Sequence, residues 1–278
     1  MSAVRAVEDT PPAGSGHPDV KRALSLVKTA DPAGERLLAE GIWPHEALLD
    51  SGTPVEAFLV CPEAAWSERA RALVDDVAAV AEHVHRISAR TLARLAQRDR
   101  PDGLVSIARP RRWRPEDLTF DESALVLVAD GLETPGNLGT LVRTLDACRG
   151  DALVVTDRRT TVVHPKVFRA SHGTSLSVPW IGFDDTDEAA EWLQGLGFTV
   201  LLADNAAPGQ PPVAYQDADW SGRTAVVLGN ERYGVSSAWR AHSFGRVAIP
   251  MLGRADSLNA AVAGSVLLYE ARRAKSGW

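Results

Sequence analysis

The sequence predicts an α/β protein of two domains, the second larger and built on a mostly parallel sheet. Three observations carry this expectation. Residues 124–130 (Ala-Leu-Val-Leu-Val-Ala-Asp) form a continuous apolar run, which suits a parallel strand covered on both faces. Further short apolar runs at 152–156, 176–180, 198–203, 225–228 and 247–249 alternate with helical patterns, the order that yields a sheet flanked by helices. Arg109-Pro110-Arg111-Arg112-Trp113-Arg114-Pro115, dense in charge and proline, reads as a linker. A chain of 278 residues supplies ample core for two domains of ordinary size.

Taken in order, residues 1–18 contain Pro11-Pro12-Ala13-Gly14-Ser15-Gly16 and no periodicity, the signature of a mobile tail. Residues 19–108 form the smaller α/β domain. A short helix over 20–29 carries Val20, Leu24 and Val27, and a strand or turn near 36 enters a helix that Gly52 ends. A strand over 55–60 is closed by Pro62. Ala70, Leu73, Val74 and Val77 then share a helical face. After a brief strand near Val84, Ser88 caps a helix carrying Leu92 and Leu95, and residues 103–108 alternate as a strand. Residues 109–118 are the linker and 119–278 the second domain. Its first strand runs through Gly131, Gly136 and Gly139 into a helix striped by Leu138, Leu141, Val142 and Leu145. Helical patterns recur near 188–196 and 235–242, and Asn259 opens a last helix rich in small residues (Ala260, Ala261, Ala263, Gly264, Ser265).

Composition narrows the function classes. An apolar content of 45% and a charged content of 24% are those of an ordinary globular protein. No apolar run has the length of a membrane span and the N-terminus lacks the order of a signal peptide, so a cytoplasmic protein is expected. Cys61 and Cys148 lie far apart, and the seven histidines include no helical metal-binding pair, so neither a disulfide nor a metal is expected. A net charge of -6 argues against coating nucleic acid with the whole surface. Only Lys21, Lys28, Lys166 and Lys275 are lysines, however, and arginine is the better fork for phosphate. Arg94, Arg98, Arg100, Arg109, Arg111, Arg112 and Arg114 crowd one stretch around Trp113, either a local basic patch or a solvated linker.

Three loops at strand ends carry candidate chemistry. The glycines at 131, 136 and 139 lack the spacing of a dinucleotide site, which disfavours a Rossmann-type enzyme. Asn137 sits in that turn, and Arg143 lies off the apolar stripe, placed to hold a phosphate or to pair with Asp146 or Glu133. Gly229-Asn230-Glu231-Arg232-Tyr233-Gly234 follows a strand at the carboxyl end of the sheet, where open α/β folds bind ligands. Ile249-Pro250-Met251 runs through Arg254 and Asp256 into Ser257-Leu258-Asn259 at a helix N-terminus, whose free amides suit a ligand.

Together these stretches resemble a family. Pro135-Gly136-Asn137-Leu138-Gly139-Thr140-Leu141-Val142-Arg143-Thr144 looks like the first motif of the SpoU (TrmH-like) RNA 2'-O-ribose methyltransferases of the SPOUT class. Gly229 to Gly234 resembles their second motif and the stretch from Ile249 to Asn259 their third, with Pro165-Lys166, Arg169-Ala170-Ser171 and Gly173 matching the segment between. Glu40-Gly41 and the stretch around 95–106 are similar to the L30e-like substrate-binding domain found ahead of such domains. The sequence departs from the common pattern at Arg232-Tyr233 and at Ala260-Ala261.

The resemblance implies a trefoil-knotted C-terminal sheet domain that binds S-adenosylmethionine, assembles as a homodimer and methylates RNA. It implies Ala203, Gly229, Ile249, Leu258 and Asn259 around the cofactor. For catalysis it implies Arg143 supported by Asn137, Glu231, Ser257 and Asn259. Arg109, Arg111, Arg112, Lys166 and Arg169 are the candidate RNA contacts. The wording of the motifs is similar to ribosome-modifying members, including self-resistance enzymes of antibiotic producers, which points to 23S rRNA. A tRNA methyltransferase and a non-catalytic RNA-binding protein on the same fold are the alternatives.

Overall fold

The computed structural model describes residues 11–31, 34–96, 98–204 and 211–276. The chain forms two compact units, residues 1–111 with 163–177 and residues 112–162 with 178–278. Of the tail expected over 1–18, residues 1–10 lie outside the described residues. The remainder is not a free tail: Ala13 donates its amide to the Arg86 carbonyl at 2.7 Å, and the His17 side chain caps the first helix.

In the first unit the elements are α1 (Pro18–Lys28), β1 (Leu37–Glu40), α2 (Ile42–Asp50), β2 (Val55–Val60), α3 (Glu68–Val80), β3 (Ala81–Arg86), α4 (Ala89–Leu95) and β4 (Leu104–Ala108). Ser67 and Ser88 accept from the amides of Ala70 and Thr91, caps worth about 1 kcal/mol each. The sheet order is β1-β4-β2-β3, with β4 antiparallel to both neighbours and β2 parallel to β3. The alternation expected of 103–108 reaches no solvent on either face. Leu104 and Ala108 join a core with Phe58 and Leu73, while Val105 and Ile107 join another with Leu59 and Ile87.

One polar group is sealed into this unit. His45 is fully buried, donating from Nδ1 to the Gly41 carbonyl at 2.6 Å and accepting at Nε2 from the Ser106 hydroxyl at 2.9 Å. Burial keeps the ring neutral, pushing its pKa down to about 4 from 6.5 in spite of the bond to Gly41, which favours the charged form. Below pH 6.5 the unfolded chain therefore binds a proton that the folded chain refuses, so stability rises with pH across this window. We expect His45 to cost the fold on the order of 3 kcal/mol as pH falls from 6.5 to 4. Urea unfolding across that range should show a steeper loss in the wild type than in His45→Gln; equal slopes would refute the assignment.

The second unit begins with β5 (Leu125–Asp130), α5 (Pro135–Ala147) and β6 (Ala152–Thr156). After α6 (Pro165–Ala170), which belongs to the first unit, come β7 (Trp180–Gly182), α7 (Thr186–Gly195), β8 (Thr199–Ala203), β9 (Val213–Ala214), β10 (Thr224–Leu228), α8 (Ser237–Ala241), β11 (Gly245–Ala248) and α9 (Ala260–Ser276). The seven strands run in the order β7-β6-β5-β10-β8-β11-β9, and every ladder is parallel. Val126 and Val128 of β5 face a core with Val154, Val227 and Trp239, and Leu125 and Leu127, also fully buried, point the opposite way by strand alternation. That is why the run is continuously apolar.

Two expectations are corrected. The strand expected over 176–180 is a 3-10 turn at Thr174–Leu176 followed by β7 at Trp180–Gly182. Hydroxyl bonds from Ser171, Thr174 and Ser177 to carbonyls three residues back hold this stretch in turns, the usual competition of Ser and Thr with extended pairing. The division of the chain is also not linear, because residues 163–177 belong to the first unit. Phe168 and Leu176 enter its core, and Trp43 stacks on Phe168 and on His172 with ring centroids 5.3 and 4.9 Å apart.

Candidate functional site

A cavity of about 360 Å³ opens at the carboxyl ends of β8, β10 and β11, in the size range of small-molecule sites. Its wall is apolar at Leu228, Val247 and Leu267 and small at Ala203, Gly229, Ala260 and Ala263; Asp204, Glu231, Asp256 and Ser257 supply polar groups. Arg240 donates to Asp204 across 2.9 Å, so that carboxylate, buried against the sheet, carries its own counter-ion.

The loop after β10 is tied in place by its own side chains. Asn230 Oδ1 accepts from the amides of Arg232 and Tyr233 at 2.9 and 3.1 Å, and Asn230 Nδ2 donates to the Gly131 carbonyl at 2.8 Å. Gly234 returns its amide to the Asn230 carbonyl at 2.8 Å. A Cβ on Gly229 would stand 2.1 Å from the Gly234 carbonyl carbon and the Val235 nitrogen, so only glycine closes this loop. Beneath it, buried Asp130 accepts from the Ser236 amide and the Thr156 hydroxyl, to which Trp239 also donates.

Glu231 reaches from this loop to the start of α5. Its carboxylate accepts from the amides of Glu133 and Thr134, both at 3.1 Å, and from Asn137 Nδ2 at 2.8 Å. Thr134 offers no side-chain cap, so a carboxylate from a distant loop takes that place at the positive end of the helix. Burial would raise its pKa, but the bonds from Asn137, Glu133 and Thr134 outweigh it and hold the carboxyl below the usual range. Asn137 Oδ1 in turn accepts from Asn259 Nδ2 at 3.0 Å, and Asn259 Oδ1 caps α9 by accepting from Ala261 and Val262 at 2.9 and 3.3 Å. One chain of hydrogen bonds thus joins the three loops that the sequence singled out.

Of the other expected residues, Ala203, Gly229, Ile249, Ser257 and Leu258 line the cavity, and the Ser257 hydroxyl donates to Asp256 at 3.1 Å. Arg143 stands apart from the cavity wall. It is exposed on α5 and, among the described residues, bonded to neither Asp146 nor Glu133. Asn230, Asp204 and Arg240 were missed by the sequence reading; Asn230 was quoted there only as part of its motif, although an Asn in a glycine-bounded turn is a ready turn-former.

The basic candidates are dispersed in role. Arg109 is held by Glu82 and Glu56, while Arg111, Arg112, Lys166 and Arg169 are exposed, the last two on α6. Potential metal ligands do come together at His17, Asp19 and His85, but each has a protein partner there. His85 bonds Asp19 at 2.8 Å, and His17 accepts from the Asp19 amide at 3.3 Å.

Comparison with known proteins decides the family. The SpoU rRNA methylase family matches residues 124–269, more than half of the chain and the whole stretch that carries the three loops. The chain belongs to the SpoU rRNA methylase family. It is thereby an RNA methyltransferase by descent. An uncharacterized tRNA/rRNA methyltransferase of Synechocystis sp. is 31% identical over 259 residues, 92% of this chain and 91% of its own. The 23S rRNA (uridine(2479)-2'-O)-methyltransferase of Streptomyces viridochromogenes is 30% identical over 244 residues, 87% of this chain and 83% of its own. The crystal structure of AdoMet-bound rRNA methyltransferase from Sinorhizobium meliloti matches with a TM-score of 0.81 at 25% identity, over 94% of this SpoU chain and 96% of that one. The α/β fold with its parallel seven-stranded sheet is thus the SpoU fold.

Proposed function

We propose that this SpoU protein transfers a methyl group from S-adenosylmethionine to a ribose 2'-hydroxyl of RNA, with 23S rRNA as the target. The observation that carries the reading is the hydrogen-bond chain Asn259–Asn137–Glu231, which ties together three loops, two of which line one cavity. The cavity fits the cofactor in size and in its mix of apolar wall, small residues and polar groups. The chemistry supplied by S-adenosylmethionine, when bound, is an electrophilic methyl group on a sulfonium.

Methyl transfer needs the ribose oxygen held in line with that methyl, and positioning supplies much of the acceleration. Glu231 is a positioning residue in this scheme. Three donors already occupy its carboxylate and favour its charged form, which makes it a poor proton acceptor. A guanidinium is not a proton acceptor in proteins, so the part of Arg143 is to hold the phosphate beside the target ribose and to stabilise the developing alkoxide, the proton leaving to solvent. Ile249 and Leu258 contact the cofactor, Ser257 and Asn259 shape the site, Lys166, Arg169, Arg109 and Arg111 serve RNA binding from the L30e-like first unit, and Arg112 does so from the start of the second.

The reading includes a trefoil knot formed by the second and third loops and a homodimer through the second unit. Val262 and Tyr269, seven residues apart on one face of α9, are 50% and 41% exposed, which supports a partner there. Among the small residues of α9, Gly264 serves a different face, since a Cβ there would meet Leu141 and Leu228 at 2.4 Å, while Ser265, on the side of Val262 and Tyr269, bonds Thr144 at 2.9 Å. Among the described residues no helix is long and apolar enough to cross a membrane, and the proposed site of action is the cytoplasm.

Tritiated methyl transfer from S-adenosylmethionine to RNA of a strain lacking the protein tests the whole reading. We expect label in one ribose of 23S rRNA. Label confined to tRNA would move the target, and binding of RNA with no label at all would favour the non-catalytic alternative.

A further inference from the structure

The loop after β10 departs from the family pattern at Arg232-Tyr233, and neither side chain has a part in the scheme above. Tyr233 is 69% exposed although it lines the cavity. The Arg232 guanidinium lies over its ring, 5.4 Å from the centroid, and Arg232 makes no ion pair among the described residues. An exposed tyrosine on a loose loop would mean little. This one is carried on backbone whose amides at 232 and 233 are both held by Asn230 and whose return is pinned at Gly234. The ring is therefore presented on a stiff support, and a partner that covers it orders little that is not already ordered.

We propose that Arg232 and Tyr233 form a stacking platform for an unpaired nucleobase of the RNA strand entering the site. The inference rests on the methyltransferase reading for its substrate class, and it adds a residue that selects single-stranded over paired RNA. An aromatic face beside an uncompensated guanidinium matches a nucleotide twice, the base against the ring and the phosphate against the cation. Single-stranded RNA has bases free to splay onto such a surface, whereas paired bases are hidden in their stack. The chemistry tolerates any base, so Tyr233 selects strand state and leaves sequence to other contacts.

The test uses the full chain and fluorescence anisotropy with an oligoadenylate of about ten nucleotides, against an abasic oligomer of equal length and charge. The wild type is expected to bind the base-bearing oligomer more tightly than the abasic one. Tyr233→Ala should weaken the first by roughly 5- to 150-fold, leave the second nearly unchanged and so lose the preference, while Tyr233→Phe keeps it. In turnover assays on rRNA, Tyr233→Ala should raise KM for RNA far more than it lowers kcat. Three results would overturn the proposal: no preference in the wild type, an equal loss for both oligomers in Tyr233→Ala, or a fall in S-adenosylmethionine affinity by calorimetry that accounts for the loss. A change in sedimentation of Tyr233→Ala without change in RNA binding would show that a second copy covers the ring, and would also overturn it. Failure of the methyltransferase reading looks different, as base-selective binding by a wild-type chain that transfers no methyl.

Discussion

Arg143→Ala is expected to abolish methyl transfer while leaving the fold and the affinity for S-adenosylmethionine nearly intact. The side chain is exposed on α5, outside the cavity wall and, among the described residues, bonded to no neighbouring carboxylate, so its removal is expected to cost the fold little. Surface changes of this kind alter stability by no more than about 0.5 kcal/mol. If the guanidinium holds the target phosphate and the developing alkoxide, its loss removes a contact realised at the transition state, which costs roughly 10²- to 10³-fold in kcat or more. Arg143→Lys should restore little, because a point charge does not reproduce a planar fork. Single-turnover transfer, calorimetry with the cofactor and thermal unfolding separate these effects. Near-wild-type turnover in Arg143→Ala would remove Arg143 from the mechanism.

The second large effect is expected at Gly229. Its φ lies outside the left-handed region, so an alanine is excluded here by space alone. The added Cβ would meet the backbone of Gly234 and Val235 at 2.1 Å, and backbone cannot swing aside as a side-chain tip can. Overpacking of this kind costs about 1–3 kcal/mol. The cost falls on the loop that carries Glu231, so the helix start at Thr134 and the link to Asn137 and Asn259 loosen together. Cofactor affinity should drop by at least about tenfold, the equivalent of 1.4 kcal/mol. Gly136→Ala is the internal control. It sits in the first turn of α5 with nothing within 4 Å of the added carbon, and Gly→Ala there should stabilise by about 0.4–1 kcal/mol through the unfolded chain's lost freedom. Equal cofactor affinity in Gly229→Ala and the wild type would show that the loop can reclose around a side chain.

Much of this site was legible because its chemistry is local in sequence. The strand at 124–130 is buried on both faces and says so in its composition, and Asn259 announces itself as a cap one residue before a helix. What joins the loops is not local. The bond from Asn137 to Glu231 spans 94 positions and that from Asn259 to Asn137 spans 122, so only the fold reveals that the three polar residues form one chain. Arg240 could not be paired with Asp204 for the same reason. The strand expected over 176–180 was begun too early because Leu176 and Val178 suit a strand, while the hydroxyls that bend this stretch act through backbone bonds that composition does not weigh. Nothing in a linear pattern foretells that the stacking partners of Trp43 lie more than 120 positions downstream.

The return of residues 163–177 to the first unit bears on the order in which the protein can be made. During synthesis the N-terminal part of a chain emerges and begins to fold first. Here its core stays open at the places taken by Phe168 and Leu176 until residue 177 has been added, by which time β5, α5 and β6 have already emerged. The two units must therefore mature together, and a cut at the proline-rich connection near residue 112 would strand part of one core on the fragment that bears the other.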